Sequence, residues 1–392
     1  MQQNNHPQIT EILENDSILS FTVSGIDKCF ANALRRTILC DIPTVVIRTE
    51  DHEVNQCHIT KNTSRLHNEI IQQRISCIPI HTYDPEFASK YSLVLHVKNN
   101  DEQSIRMVTS KDFKIRIKDK GSNNNKETYL SEEETKKIFP PNEITQHYID
   151  IVRLRPKMGT ATPGEEIQLT SEFSVGTAKL NSMFNAVSLV TYGFTQDKIK
   201  ATETWEQLEK KYESEDMSKE EIAHAKSDFF HLDAQRHFVA NSFDFRVKSV
   251  GVYENKDIVH KACSILCSRF DRTISALDEN LIPILESSTS AKNGYDSIIE
   301  STVENSYDVI LHNEDDTLGN ILSYLMYQSY FLPKESQELT FVAFKKFHPH
   351  DAYSVLRVAY KKAVEKAAII TDLKAVLKEA RRVVEEVKKM MK

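Results

Sequence analysis

Phe30-Ala31-Asn32-Ala33-Leu34-Arg35-Arg36 near the start of the chain and Leu318-Gly319-Asn320-Ile321-Leu322-Ser323-Tyr324 near its end read as divergent copies of one element. Each follows a strand-like segment and an acidic turn, and each opens an apolar helix. A chain with two related halves can fold back and pair them, as two subunits of a dimer would. Such a chain is built for self-pairing and not obviously for chemistry.

Working outward, residues 9–25 read as a strand with its flanks, and Asp27 precedes a helix over 29–40 that Asp41-Ile42-Pro43 ends. Val45-Val46-Ile47 reads as a short buried strand. Leu66, Ile70, Ile71 and Ile75 predict a helix over 66–77. Residues 91–118 read as strands, Gly121-Ser122-Asn123-Asn124-Asn125 as a mobile loop, and 149–152, 167–169 and 187–192 as further strands. The Lys/Glu-rich stretch 197–237 reads as a charged, solvated helix or an insertion.

Phe243–Val247 returns to strand, and a long amphipathic helix then carries its apolar stripe as far as Leu281 and Leu285. Residues 286–304 are rich in Ser, Thr, Asn and Gly and read as a linker. The last unit has strands at 307–311, 339–344 and 355–358, a helix at 317–331, and a final helix from about 360 whose outer face is basic. The expected fold is α+β. Residues 1–81 and 238–285 form a dimerisation domain, 82–237 a β-rich insert, and 305–392 a second dimerisation unit. Each long helix needs a partner for its apolar face. A stripe of about ten medium apolar side chains is worth roughly 15–25 kcal/mol before entropy. Leu34, Ile265, Leu266, Leu277, Leu318, Leu322, Leu373, Val376, Leu377 and Val384 are the expected seam between the halves.

With 392 residues the chain has room for more than one core, and 40% hydrophobic and 27% charged content is ordinary for a globular protein. A net charge of -7 argues against strong direct nucleic-acid binding. Residues 361–392 hold ten Lys/Arg against five Asp/Glu, a charge that suits a solvated face opposite a core stripe. The six cysteines (Cys29, Cys40, Cys57, Cys77, Cys263 and Cys267) form no CxxC pair and read as buried free thiols in a reducing compartment. No metal and no cofactor is expected. Asp315 and Asp316 read as helix-start residues, and His348-Pro349-His350 as a rigid turn. No signal peptide opens the chain and no apolar run is long enough to span a membrane, so no membrane association is expected.

Phe30–Arg36 followed by Asp41-Ile42-Pro43-Thr44-Val45-Val46-Ile47 resembles the first helix and strand of the α-like RNA polymerase subunits. These are bacterial α, its archaeal counterpart and the third-largest subunit of RNA polymerase II. Asn68-Glu69-Ile70-Ile71-Gln72-Gln73-Arg74-Ile75-Ser76-Cys77-Ile78-Pro79-Ile80 is similar to that family's "DE-x-x-x-HR-x-x-x-IP" helix, with Asn and Gln in place of Asp and His. Val108-Thr109-Ser110-Lys111-Asp112 resembles the "V-x-S-x-D" of its insert domain, and Phe245–Gly251 its re-entering strand. His312-Asn313-Glu314-Asp315-Asp316-Thr317-Leu318-Gly319-Asn320-Ile321-Leu322 resembles the "EDHTLGN" signature of the smaller partner, which is the eleventh subunit of RNA polymerase II or its archaeal counterpart. Phe341–Phe344 with His348-Pro349-His350 is similar to its "F-x-G-Y…PHP" segment.

The resemblance implies a non-catalytic assembly platform of a DNA-directed RNA polymerase, and no catalytic motif contradicts it. It implies an intramolecular pseudo-dimer rather than a homodimer. Its partners would be two large catalytic subunits and small subunits resembling the tenth and twelfth of RNA polymerase II. Arg35 and Arg36 are either paired within the chain or dock a large subunit, and Glu69 and Arg74 are further docking candidates. Fusion of the two subunits resembles polymerases of large cytoplasmic DNA viruses. An intracellular location in a host-cytoplasm virus factory is implied, with virion and nucleus left open. Family members often carry a metal centre in the insert, but no cysteine lies between Cys77 and Cys263. The alternative is a free-standing scaffold or transcription regulator that uses the same fold.

Overall fold

The computed structural model describes residues 6–391 except 51, 83, 85, 119–126, 160, 161, 288–294, 296, 297, 299, 300 and 336. The loop expected at 121–125 therefore lies outside the described residues, as does much of the expected linker. Met1–Ile38, Leu189–Lys248 and Asn255–Lys392 form one compact unit, and Leu39–Ser188 with Ser249–Glu254 form a second. Residues 39–81 thus fall with the β-rich segment, and 189–237 with the segment around the two long helices.

The first unit opens with a hairpin rather than the single strand expected. β1 (Gln8–Asn15) and β2 (Ile18–Ser24) pair antiparallel around Asp16 and Ser17. Both turn residues have positive φ, 51° and 62°, the geometry of a two-residue turn that matches strand twist. β1 is a mostly exposed edge, kinked by a register shift at Glu11. α1 (Lys28–Cys40) starts where the Cys29 N–H donates to Asp27 Oδ1 at 2.9 Å. It buries Phe30, Ala31, Ala33, Leu34, Thr37 and Ile38 on one face.

In the second unit β3 (Thr44–Val46) is followed by β4 (Cys57–Asn62), α2 (Asn68–Ser76), α3 (Phe87–Lys90), β5 (Tyr91–Lys98) and β6 (Arg106–Thr109). β7 (Lys114–Ile117), α4 (Glu132–Ile138), β8 (Asp150–Leu154), β9 (Glu166–Glu172) and β10 (Ser174–Gly176) complete it. The main sheet runs β4-β9-β5-β7, with two-stranded sheets β6-β8 and β10-β3 beside it. Leu93, Leu95 and Val97 of β5 face the core while His96 and Lys98 face out, the period-two pattern of a half-buried strand. Ile71 and Ile75 of α2 join that core. Leu66 packs against it from outside the helix, and Ile70 is exposed, so α2 is shorter than its apolar spacing suggested. Ser131 and Glu134 form a reciprocal cap at the start of α4.

The first unit resumes with β11 (Val187–Gln196), which the sequence pattern grouped with the insert. Its place is the edge of the sheet β1-β2-β12-β11, where β12 is Phe238–Ser249. Phe21 and Phe245, cross-strand partners, stack with centroids 5.1 Å apart. Between β11 and β12 the charged stretch forms two helices, α5 (Lys198–Ser214) and α6 (Lys219–His231). They enclose a small core of Ala201, Trp205, Phe229 and Ala234.

α7 (Asn255–Asp278) then runs alongside α9 (Lys366–Met390). α7 stops short of the expected 285, because Asn280 takes a positive φ of 54° and Pro283 follows. Leu281 is consequently exposed, and Leu285 lies in β13 (Ile284–Glu286). β14 (Ser306–His312), α8 (Asp316–Met326), β15 (Leu339–Lys345) and β16 (Tyr353–Tyr360) complete an antiparallel sheet ordered β13-β14-β16-β15 with α8 against it. Within the segment expected to be a linker, Ile298 is buried with Ile310 and Val355, and Tyr295 packs edge-on against Tyr353. α9 begins later than expected, and in its first turn Ala367 and Ala368 are exposed, so the buried stripe starts at Ile369.

Candidate assembly interface

Two features of the sequence bring the early and late elements of the first unit together. Leu266, Phe270 and Leu277 of α7 are buried, as are Leu373, Val376, Leu377, Ala380 and Val384 of α9. Arg381 Nε lies 2.9 Å from Asp271 Oδ1, and Lys374 pairs with Asp278, both across the two helices. Ile265 is only half-buried and lies off the stripe. The Cys267 thiol points at Glu385 Oε2, 3.6 Å away, and burial together with that carboxylate pushes it up to about 11. Burial also raises Cys263, so both thiols stay protonated and inert at neutral pH. Cys77 is exposed and Cys29 and Cys40 are half-buried, so the expectation of uniformly buried thiols does not hold.

At the start of α8, Leu318 and Leu322 are buried, as is Leu34 on α1, and Phe30 meets Tyr324 edge to face at 6.5 Å. Gly319 is required there. A Cβ on it would sit 2.1 Å from the Phe344 ring of β15.

The polar centre of the arrangement is Asp315. It caps α8, its Oδ1 accepting the Thr317 N–H at 3.0 Å. The same oxygen accepts from Arg269 Nη2 at 2.9 Å, and Oδ2 accepts from Arg36 Nη2 at 3.2 Å. Arg36 Nε also donates to Thr317 Oγ1 at 2.9 Å, and Arg269 Nε to Glu314 Oε2 at 2.6 Å. The Arg269 side chain is 8% exposed and that of Arg36 33%. Burial alone would raise the Asp315 carboxyl. Arg269, the bonds from Thr317 and the Arg36 charge outweigh it and hold the group well below the usual carboxylate range. Two guanidiniums from α1 and α7 thus converge on the helix start that precedes Leu318-Gly319-Asn320.

Arg35, by contrast, donates back to Asn32 Oδ1 within its own helix, at 3.1 Å from Nε and 3.0 Å from Nη2. Glu69 and Arg74 lie exposed on α2 of the second unit, where Arg74 Nη2 donates to the Asp150 carbonyl at 2.8 Å. Arg269 escaped the sequence reading. Its signal was present, since it stands at helical spacing between Leu266 and Thr273 on the apolar side of α7. Among the described residues no group of His, Cys, Asp or Glu is arranged to hold a metal ion, and no helix is long and apolar enough to cross a membrane.

A family profile for the RNA polymerase Rpb3/Rpb11 dimerisation domain matches residues 20–270. The chain belongs to this family. The matched span runs from β2 through most of α7, so the Asp315 cluster receives Arg36 and Arg269 from inside it. The chain is similar to the DNA-directed RNA polymerases I and III subunit RPAC1 of Mus musculus, at 24% identity over 305 residues, 67% of this chain and 82% of that protein. It is also similar to the DNA-directed RNA polymerase subunit Rpo3 of Thermococcus kodakarensis, at 44% identity over 80 residues, 20% of this chain and 28% of that one. Rpo3 of Methanosphaera stadtmanae is 26% identical over 185 residues, 47% of this chain and 60% of that one.

Proposed function

We propose that this chain is a non-catalytic assembly subunit of a multisubunit DNA-directed RNA polymerase, in which the two αβ halves pair as an intramolecular pseudo-dimer. The observation that carries the reading is the convergence of Arg36 and Arg269, both inside the family match, on Asp315 beyond it. The relatives named above are polymerase subunits, which supports placing this chain in the same kind of complex. Residues 305–392 would play the part of the smaller partner, and a tether would hold that half at about millimolar effective concentration. The paired halves would nucleate two large catalytic subunits, with small subunits resembling the tenth and twelfth of RNA polymerase II attached. The fused arrangement suits a large cytoplasmic DNA virus and an intracellular virus factory. Arg36 is held by an ion pair to Asp315 and a bond to Thr317 of the C-terminal half, so Arg35, bonded within its own helix, and the exposed Glu69 and Arg74 carry the docking part of the proposal.

Affinity purification of the tagged chain from cells that express it, with mass spectrometry of its partners, tests the reading. Two very large polymerase chains are expected in stoichiometric amounts, and Arg35→Glu is expected to deplete them without changing the circular dichroism of the chain. Recovery of the chain without them would favour a free-standing scaffold. RNA synthesis by the purified chain alone would overturn the non-catalytic assignment.

A further inference from the structure

We propose that the cleft where α2, β6 and β8 meet in the second unit binds a short acidic segment of a partner polypeptide that also carries apolar side chains. Four arginines line this one cavity of about 650 Å³: Arg65, Arg74, Arg153 and Arg155. Two acids share it, Asp150 and Glu165. Glu165 is already committed, because its Oε1 lies 2.5 Å from Arg155 Nε and its Oε2 accepts the Arg155 N–H at 2.7 Å. That pair fixes the Arg155 guanidinium along the wall, as the bond to the Asp150 carbonyl fixes Arg74. Arg65 and Arg153 are exposed and make no ion pair among the described residues. The cleft therefore presents a surplus of positive charge in a protein whose net charge is -7.

Its apolar lining identifies the occupant further. Ile105 is 62% exposed at the mouth of the cleft, and Met107 lies opposite Arg153 in the β6–β8 register. An exposed apolar side chain lining the same cavity as four guanidiniums suits a ligand that alternates carboxylates with Leu or Phe. Arginine favours carboxylates in paired, planar contacts. A single strand of nucleic acid fits less well, because the cleft has no aromatic side chain on which a base could stack and Asp150 would face its phosphates.

The experiment uses the full chain and fluorescence anisotropy near physiological salt. The probe is a labelled decapeptide in which Glu-Asp pairs alternate with Leu and Phe. The comparison probes are a polyglutamate of equal charge and a single-stranded oligodeoxynucleotide of equal length. Saturable binding of the decapeptide is expected, with weaker binding of the other two. Arg153→Glu and Arg65→Glu should each weaken it about tenfold or more, and Ile105→Ser about threefold or more. Arg74 lines the cleft and is also a proposed docking residue, so it is left unchanged here. Arg65, Arg153 and Ile105 are not proposed to dock the large subunits, and recovery of those subunits with Arg65→Glu and Arg153→Glu keeps the two readings distinguishable. Three results would each overturn the proposal: no saturable binding to the wild-type chain, equal affinity in Arg153→Glu and Arg65→Glu, or tighter oligonucleotide binding that the same substitutions abolish. The last would assign the cleft to nucleic acid.

Discussion

Arg269→Met removes the charge that α7 delivers to the start of α8 while keeping most of the side-chain volume. The charge-assisted bonds at 2.6 Å to Glu314 and 2.9 Å to Asp315 are among those that disappear. Such bonds contribute about 1.5–3 kcal/mol each when buried. The two carboxylates are 20% exposed and regain some water, and Asp315 keeps Arg36 and the Thr317 N–H. The lower half of the range therefore applies, a loss of about 3 kcal/mol at neutral pH. Arg36→Met, at a third exposed, should cost only about 1 kcal/mol. Urea unfolding followed by far-UV circular dichroism measures both, and a cycle with Asp315→Asn isolates the coupling. The pH dependence is a second readout. Asp315 is held below its ordinary value in the folded chain, so its contribution is complete above about pH 4 and is lost as pH falls through the folded value. The gap between wild type and Arg269→Met should therefore be flat from neutrality down to about pH 4 and narrow below it. A gap under about 0.5 kcal/mol at neutral pH, or one that ignores acid, would show that the cluster does not hold these elements together.

Gly319→Ala should lower the melting temperature through an overpacking cost of about 1–3 kcal/mol, and Phe344→Leu in the same chain should recover part of it. An unchanged melting temperature in Gly319→Ala would mean the α8–β15 contact is looser than described. Leu377→Asp places a carboxylate in the α7–α9 seam, and aggregation or loss of the folded chain is expected in size-exclusion chromatography. A soluble monomer with native circular dichroism would count against that seam. Arg357→Met leaves the fully buried Asp308 without its paired guanidinium, bonded at 2.6 and 3.0 Å, and should cost about 3–5 kcal/mol in urea unfolding.

The parts of this fold that were legible in sequence are those specified locally. Asp27 and Asp315 mark helix starts, and the apolar repeats of α1, α8 and α9 give their buried faces. What depends on distant pairing was not legible. β11 belongs beside β12, yet the α5–α6 hairpin separates them, and nothing within Val187–Gln196 says which sheet it joins. β4 was missed because His58, Lys61 and Asn62 blur its alternation. The apolar rhythm of α7 stays in phase through Leu281 and Leu285, so the helix was read too long, and the break lies in the backbone at Asn280 and Pro283. At the site, Leu318 and Gly319 announce themselves by pattern. The partner that matters most to Asp315 is a single arginine in an apolar stripe, which periodicity alone treats as an imperfection.

The ion pair between Asp308 and Arg357 also carries an expectation about the order of folding during synthesis. Asp308 sits in the middle of β14, and its guanidinium partner is made 49 residues later. At about 5–20 residues per second that is a wait of roughly 2–10 s. Until Arg357 emerges, closing apolar side chains over β14 would bury the Asp308 carboxylate without that guanidinium. The expected order is that β14 stays hydrated while α8 and β15 are being added, and that the C-terminal sheet consolidates once β16, its pairing strand, is available. A nascent chain stalled before residue 357 should leave β14 accessible to protease, and one extended beyond β16 should protect it.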